Sequence, residues 1–308
     1  MAGWKVMTAT SGPGISLCSE QISFAVGSEI PLVIVDVQRL GPSTGSATRG
    51  ADGDIQFLQW GNSGGLSGIV LAPVDAADCY ILTMHAFNLA ELYRCPVFIA
   101  SNKEIAITKE SIDLDSFKHP EIINRKRSAR GEPYRPFQVP KGQKVPGFLP
   151  MGGQIPVRQT SSTHGPDGYI TTDISEIAEN LERLKAKLDG VAQKYAFHQF
   201  YENKDSDILL ITYGITARAA MECFFQREKG RTGGFSLLVL KTLWPVPEQL
   251  IVQKAKTAKK VIVAEMNLGL YVREIERVLA GKEVDFLGRM DGMLITPAQI
   301  RGVLYSNA

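Results

Sequence analysis

Seven short apolar runs, at 6–9, 32–37, 69–72, 97–101, 208–212, 237–240 and 261–264, constrain this chain more than any other feature. Each has the length of a strand, and within each third of the chain that holds them the gaps are mostly long enough for a helix. The run at 32–37, Leu-Val-Ile-Val-Asp-Val, is rich in branched side chains and suits a strand buried on both faces of a parallel sheet. Helical spacing at 15–28 and 76–93 separates the early runs. Helices near 217–229, 248–257 and 271–279 follow the later ones. Strands that alternate with helix-length segments predict right-handed parallel α/β sheets with helices on both faces.

The stretch from 113 to 168 breaks this pattern. It holds 8 of the 16 prolines and 9 Lys/Arg against 5 Asp/Glu, with no sustained period. Its scattered apolar residues, Phe137, Val145, Phe148, Leu149 and Met151, favour an ordered arm over a free tether. Residues 175–202 follow as an amphipathic helical region, with Ser175 as N-cap and Leu181, Leu184, Leu188 and Val191 on one face. The expected organisation is therefore a first α/β domain over 1–112, a Pro-rich arm over 113–173, a linking helix over 174–203 and a second α/β domain over 204–308.

Composition removes several function classes. With 34 Lys+Arg against 32 Asp+Glu the net charge is +2, so neither a polybasic nucleic-acid binder nor an acidic tail is indicated. No apolar run approaches the roughly 20 residues of a membrane helix. The N-terminus lacks the charged and apolar regions of a secretory signal and reads instead as a buried strand. Cys18, Cys79, Cys95 and Cys223 form no CxxC pair, which points to thiols of a cytoplasmic protein rather than a disulfide, zinc or iron–sulfur framework. His85, His119, His164 and His198 show no ligand spacing, so no metal site is expected in this chain.

Three local patterns bear on chemistry. Ser11-Gly12-Pro13-Gly14 lies at a strand-to-helix junction, where backbone N–H groups favour an anion or a polar ring, but Leu17 stands where a dinucleotide fingerprint needs its third glycine. Gly41-Pro-Ser-Thr-Gly45 and Gly61-Asn-Ser-Gly-Gly65 match G-x-S-x-G in letters only, because neither leads straight into a helix. Gln38-Arg39-Leu40-Gly41-Pro42-Ser43-Thr44-Gly45-Ser46-Ala47-Thr48 begins at the carboxyl end of a buried strand, where open α/β sheets bind ligands. Its guanidinium, hydroxyls and exposed glycine backbone would cradle a small carboxylate, with Arg39 able to bind it bidentately; a surface turn with a solvated arginine is the equal alternative on spacing alone.

Taken together, Thr10-Ser-Gly-Pro-Gly-Ile-Ser-Leu17, Asp36-Val-Gln-Arg-Leu-Gly-Pro-Ser-Thr-Gly45 with Thr48, His85-Ala-Phe-Asn-Leu-Ala-Glu91 and Glu265-Met-Asn-Leu-Gly269 resemble the α subunits of the 2-oxoacid:ferredoxin oxidoreductases, in order and over nearly the whole chain. The resemblance implies a pyrimidine-binding-like first domain and a transketolase C-terminal-like second domain. It implies a thiamine-diphosphate enzyme that oxidatively decarboxylates a 2-oxoacid, 2-oxoglutarate being favoured, releases CO2, forms the acyl-CoA and passes electrons to ferredoxin. By position, Arg39 and Thr48 would hold the 2-oxoacid, with Ser43 and Thr44 beside them, although Ala47 replaces the family's usual proline. Ser11, Gly12 and Gly14 would face the cofactor.

The same resemblance divides labour between chains. Gly50-Ala-Asp-Gly-Asp54 only echoes the diphosphate and magnesium signature, so thiamine diphosphate and Mg2+ are expected at an interface with a β subunit that also carries a [4Fe-4S] cluster. Coenzyme A and γ or δ subunits are further expected partners. Family α subunits carry an earlier segment with a YPITP-type loop and a glutamate that serves the aminopyrimidine. Neither motif is found here, which reads as a chain lacking that segment, and no catalytic residue is assigned. The alternatives are a non-catalytic structural subunit, a pyruvate or branched-chain specificity, or a transketolase-like fragment, the last of which lacks the 38–48 loop.

Overall fold

The computed structural model describes residues 1–128, 134–225 and 234–305. The early apolar runs become β1 (Met7–Thr10), β2 (Leu32–Gln38), β3 (Ile69–Leu71) and β4 (Pro96–Asn102), mutually parallel in the order β1-β2-β4-β3. The helices among them are α1 (Gly12–Leu17), α2 (Ser19–Gly27), α3 (Ile55–Trp60) and α4 (Ala76–Tyr93), and α5 (Lys103–Ile107) follows β4. Every residue of β4 is buried, as befits a strand paired on both sides and covered by α4. β1 is different. It is the outer strand of the sheet and mostly exposed, so the buried start expected from its apolar residues is not observed. An apolar run shows that a strand forms, not whether a neighbour covers it.

After α5 the chain runs as an arm with a single short 3-10 turn, Leu114–Ser116, among the described residues. Buried side chains dock it. Arg125 forms a bidentate pair with Glu91 on α4, and its guanidinium lies 4.7 Å from the centre of the buried Phe148 ring. Arg94, which ends α4 with φ +46, donates to the carbonyls of Pro146 and Gly147 at 3.2 Å and of Glu29 at 3.1 Å. The arm is thus ordered by contacts that a periodicity reading cannot see.

The second half supplies α6 (Ile174–Ala186), α7 (Val191–Lys194), β5 (His198–Tyr201), β6 (Ile208–Tyr213), α8 (Thr216–Phe225), β7 (Ser236–Leu240), β8 (Thr242–Trp244), α9 (Glu248–Lys254), β9 (Lys260–Glu265), α10 (Val272–Val278), β10 (Glu283–Gly288) and α11 (Pro297–Tyr305). The second sheet has the order β10-β9-β6-β7-β5. Its last pairing, β5 with β7, is antiparallel. β8 leaves this sheet and joins the first, antiparallel to β3. Each sheet is therefore mostly parallel with one antiparallel edge strand, where uniformly parallel sheets are expected from the alternation of signals.

Three local differences from the expected pattern are observed, and a fourth expectation runs beyond the described residues. The helix expected over 15–28 is broken at Cys18 into α1 and α2. The region expected to be helical over 175–202 ends its first helix at Ala186, and its last residues form β5, whose Phe and Tyr suit a half-buried edge strand. Asp173 rather than Ser175 caps α6, accepting from the N–H groups of Ser175 and Glu176 at 2.9 and 3.0 Å. The helix expected near 217–229 is observed to Phe225, and its remaining residues lie outside the described ones.

One apolar core joins the two sheets. Ile15, Ile34, Ile55 and Phe98 of the first half share a cluster with Ile211, Tyr213, Leu243, Trp244 and Tyr271 of the second. Trp244 is 2% exposed, and its ring stands edge-on to that of Tyr271 with centroids 5.1 Å apart. Lys241 Nζ meets Asp78 Oδ1 of α4 at 2.6 Å across the same junction. Among the described residues no helix is long and apolar enough to cross a membrane.

Candidate active site

The carboxyl ends of β1 and β2 open into the two loops that carry the predicted site residues. Ser11 precedes α1, whose first turn holds Gly12 and Gly14. Gly14 has a steric reason to be glycine: an added Cβ would lie 1.9 Å from the Thr10 hydroxyl. At the end of β2, Leu40 N–H donates to the Arg49 carbonyl at 2.8 Å, and Ser46 N–H donates to the Leu40 carbonyl at 2.9 Å. These bonds tie the loop into a closed turn that exposes Ser43, Thr44 and Thr48. The Gly41–Pro42 bond is cis, Ser43 has φ +51, and a side chain at Gly45 would strike the Leu40 carbonyl.

The structure brings several of these residues together. A Cβ on Gly12 would lie 3.9 Å from the Ser43 carbonyl oxygen and 3.8 Å from Asp54 Oδ2, so the 11–14 turn and the 38–48 loop meet above Asp54. Arg39 reaches the same region, where its positive charge acts on Asp54, and its buried Nε has no acceptor. Thr44 and Thr48 stand exposed on the same loop.

Beneath the loop lies a group that spacing did not single out. Asp36 is wholly buried at the end of β2, and burial, aided by the charges of Asp54 and Asp52, pushes its carboxyl well above the usual range. Burial also raises Asp54, against the pull of Asp36 hydrogen bonding and of Arg39. Asp54 sits at the N-cap of α3, yet its side chain makes no bond to that helix. Its N–H is held by Gln38 Oε1 at 3.0 Å. Burial pushes Asp52 up to about 7; the Asn102 hydrogen bond opposes this, and Glu265 and Asp54 reinforce it. The usable signal was an aspartate inside an otherwise apolar strand, but no spacing rule links residue 36 to 52 and 54.

Asp52 also connects the two halves. Its N–H donates to the Met266 carbonyl at 2.8 Å, its carbonyl accepts from Asn267 Nδ2 at 3.0 Å, and its Oδ1 accepts from Asn102 Nδ2 at 3.0 Å. The Glu265-Met-Asn-Leu-Gly269 stretch is built for this joint. Glu265 accepts from Tyr213 Oη at 2.6 Å and from the N–H groups of Tyr271 and Val272, which caps α10. Arg49 of the loop packs against Gly292 of the second half.

The residues present suit a small carboxylate and the polar edge of a ring, through one arginine, hydroxyls, main-chain groups and protonatable carboxyls. Among the described residues no group of three or more His, Cys, Asp or Glu is placed to hold a metal ion.

Residues 1–195 match the family described as pyruvate flavodoxin/ferredoxin oxidoreductase, thiamine diphosphate-binding, and residues 206–300 match pyruvate:ferredoxin oxidoreductase core domain II, which places the chain in that class of oxidoreductases. The 2-oxoglutarate synthase subunit KorA of Methanocaldococcus jannaschii is 37% identical over 308 residues, covering 98% of this chain and 81% of that protein. The chain belongs to the α subunits of the 2-oxoacid:ferredoxin oxidoreductases and is KorA-like within them. The ketoisovalerate oxidoreductase subunit VorB of Methanothermobacter marburgensis is 30% identical, covering 98% of this chain and 77% of its own. A solved 2-oxoglutarate:ferredoxin oxidoreductase from Magnetococcus marinus, with 2-oxoglutarate, coenzyme A and succinyl-CoA bound, superposes with a TM-score of 0.89 at 29% identity. This chain covers 53% of the length of that solved chain, while 99% of this chain is matched.

Proposed function

We propose that this α subunit takes part in the oxidative decarboxylation of 2-oxoglutarate to its acyl-CoA, with release of CO2 and transfer of electrons to ferredoxin. The observation that carries the proposal is the closed 38–48 loop, which carries Arg39 at the carboxyl end of β2 and brings Ser43 against the Gly12 turn. Arg39 binds the 2-oxoacid carboxylate and Thr48 its oxo group, with Ser43 and Thr44 completing the cradle. Ser11, Gly12 and Gly14 line the aminopyrimidine end of thiamine diphosphate, which when bound supplies the electron sink for decarboxylation. Mg2+ and a [4Fe-4S] cluster belong to a β subunit, which meets this chain at the loop face. The 2-oxoglutarate specificity is supported by the KorA relatives, and the VorB similarity favours a branched-chain 2-oxoacid as the second reading.

The test is co-expression with the cluster-bearing partner and an assay of CoA-dependent viologen reduction with 2-oxoglutarate, pyruvate and 2-oxoisovalerate side by side. Arg39→Ala raises KM for the preferred acid by roughly tenfold or more, the scale of a lost charge-assisted pair, with cofactor binding nearly intact. An unchanged KM and kcat would remove Arg39 from the site. A kcat/KM that favours 2-oxoisovalerate would replace 2-oxoglutarate.

A further inference from the structure

His164 lies in the arm and is 3% exposed. Gly165 N–H donates to the Tyr169 carbonyl at 3.0 Å and Thr171 N–H to the Thr163 carbonyl at 2.9 Å, so the histidine rides on a short hairpin. Its Nδ1 meets the Ser162 carbonyl at 2.6 Å, and because a carbonyl only accepts, the ring proton is on Nδ1. One side of the ring packs on Phe137, with centroids 3.9 Å apart. Burial holds the imidazole below its usual range, which keeps it neutral. Nε2 is then an acceptor, and this buried atom finds no donor among the described residues.

The same ring borders a cavity of about 360 Å3 between the arm and α6, with Phe137, Glu176, Glu179, Asn180 and Arg183 around it. That volume is at the lower end of small-molecule sites. Glu176, Glu179, Asn180 and Arg183 stand at i, i+3, i+4 and i+7 of α6 and so share one face. Arg183, the one cation among the described residues that borders the cavity, is already engaged. It donates to Glu29 Oε1 at 2.7 Å, Glu29 Oε2 at 3.1 Å, Asn180 Oδ1 at 2.7 Å and the Lys144 carbonyl at 3.0 Å. Beside the histidine, a Cβ added to Gly165 would lie 3.4 Å from Asp167 Oδ1 and 3.5 Å from Glu176 Oε2. Among the described residues neither of these carboxylates nor that of Glu179 enters an ion pair. The charge left uncompensated here is negative, and the buried atom left unpaired is an acceptor.

We propose that this cavity binds a small aliphatic amine, its ammonium donating to His164 Nε2 and to the Glu176 carboxylate and its methylene stem packing on Phe137 and Val139. Glu179, one turn along α6, takes the second ammonium of a diamine. An anion is disfavoured by the carboxylates, and a neutral alcohol leaves them uncompensated. A metal ion lacks a group of three ligands among the described residues. The arm and α6 supply opposite walls, so an occupant braces one against the other and raises thermal stability. The site shares no residue with the 38–48 loop, and binding there is independent of which 2-oxoacid the subunit serves.

The experiment titrates putrescine calorimetrically into the full chain and into its complex with the partner subunit, with butanol and succinate as neutral and anionic comparisons. Putrescine binds saturably and raises Tm; butanol and succinate do neither. His164→Phe keeps a ring against Phe137, removes the acceptor and weakens putrescine roughly tenfold or more, the scale of a lost hydrogen bond to a charged group. Glu176→Gln and Glu179→Gln, at exposed positions of α6, each weaken it roughly two- to fivefold, which keeps the test open if the histidine variant fails to fold. The chain has 4 His, so nitrogen NMR of labelled imidazoles can follow each ring. The His164 Nε2 signal, identified by its loss in His164→Phe, moves toward the hydrogen-bonded range as putrescine is added to the full chain. No saturable binding, equal binding of butanol, or an affinity unchanged in all three variants overturns the site. An Nε2 signal already in the hydrogen-bonded range and unmoved by putrescine gives that acceptor to water and overturns it as well. Binding to the full chain that is absent from the complex overturns a free amine as the occupant.

Discussion

Glu29 offers the sharpest test of how the arm and linking helix are held. It follows α2 in a left-handed conformation, φ +52, and its carboxylate is wholly buried. Arg183 of α6 reaches Oε1 at 2.7 Å and Lys187 Nζ reaches Oε2 at 3.0 Å. Burial alone would raise its carboxyl, but Lys187 and Arg183, with Arg94 behind them, hold it at about 2. Against the ordinary 4.5 this corresponds to roughly 3 kcal/mol favouring the ionised form. Glu29→Gln keeps the shape, removes the charge and leaves Lys187 buried without its counter-ion, a change that costs about 3–5 kcal/mol. Thermal unfolding at neutral pH should show a Tm lower by roughly 5–8 °C for a chain of this size. The depressed carboxyl also fixes the pH behaviour. Its contribution is complete above about pH 4.5 and is lost as pH falls toward 2, so native and variant stabilities converge in acid. A neutral-pH Tm within 1 °C of native, or a gap that persists unchanged near pH 2, would refute the latch.

Two other perturbations follow from the packing. Gly14→Ala drives a methyl group into the Thr10 hydroxyl and should lower stability by about 1–3 kcal/mol, and adding Thr10→Ala should restore most of it in denaturant melts. Phe148→Ala empties the site beneath Arg94 and Arg125 and should cost about 3 kcal/mol, with limited proteolysis showing faster cleavage within the arm while the two sheets stay protected.

The parts of the fold that were legible in the sequence are those written in local pattern. β2, β4, β6, β7 and β9 fill continuous apolar runs, and α4 carries its own cap in Asp75, which accepts from Asp78 N–H at 2.8 Å. What escaped depends on distant partners. Thr242–Trp244 is too short and too close to β7 to announce itself, and becomes a strand only because β3 waits for it. Phe137 and Phe148 looked like scattered apolar residues in a Pro-rich stretch, and their burial needs His164, Arg94 and Arg125 from elsewhere. At the site, the 38–48 loop was visible as a run of arginine, hydroxyls and glycine at a strand end. Asp36, Asp52 and Asp54 were not recognised as a group, since an aspartate is read as a surface residue until the sheet encloses it.

The crossing of β8 has a consequence for how the chain is made. β3 is finished by residues about 170 positions further on. On the ribosome, the first sheet must therefore wait with one flank open until most of the protein has emerged. The arm and α6 are synthesised during that wait, and the Glu29 contacts can dock them before the flank closes. Any recombination that exchanges the first α/β unit between relatives must carry Thr242–Trp244 with it, or the imported sheet arrives without its last strand and with the Trp244 seat empty. The two halves are contiguous in the gene but share one unit of inheritance.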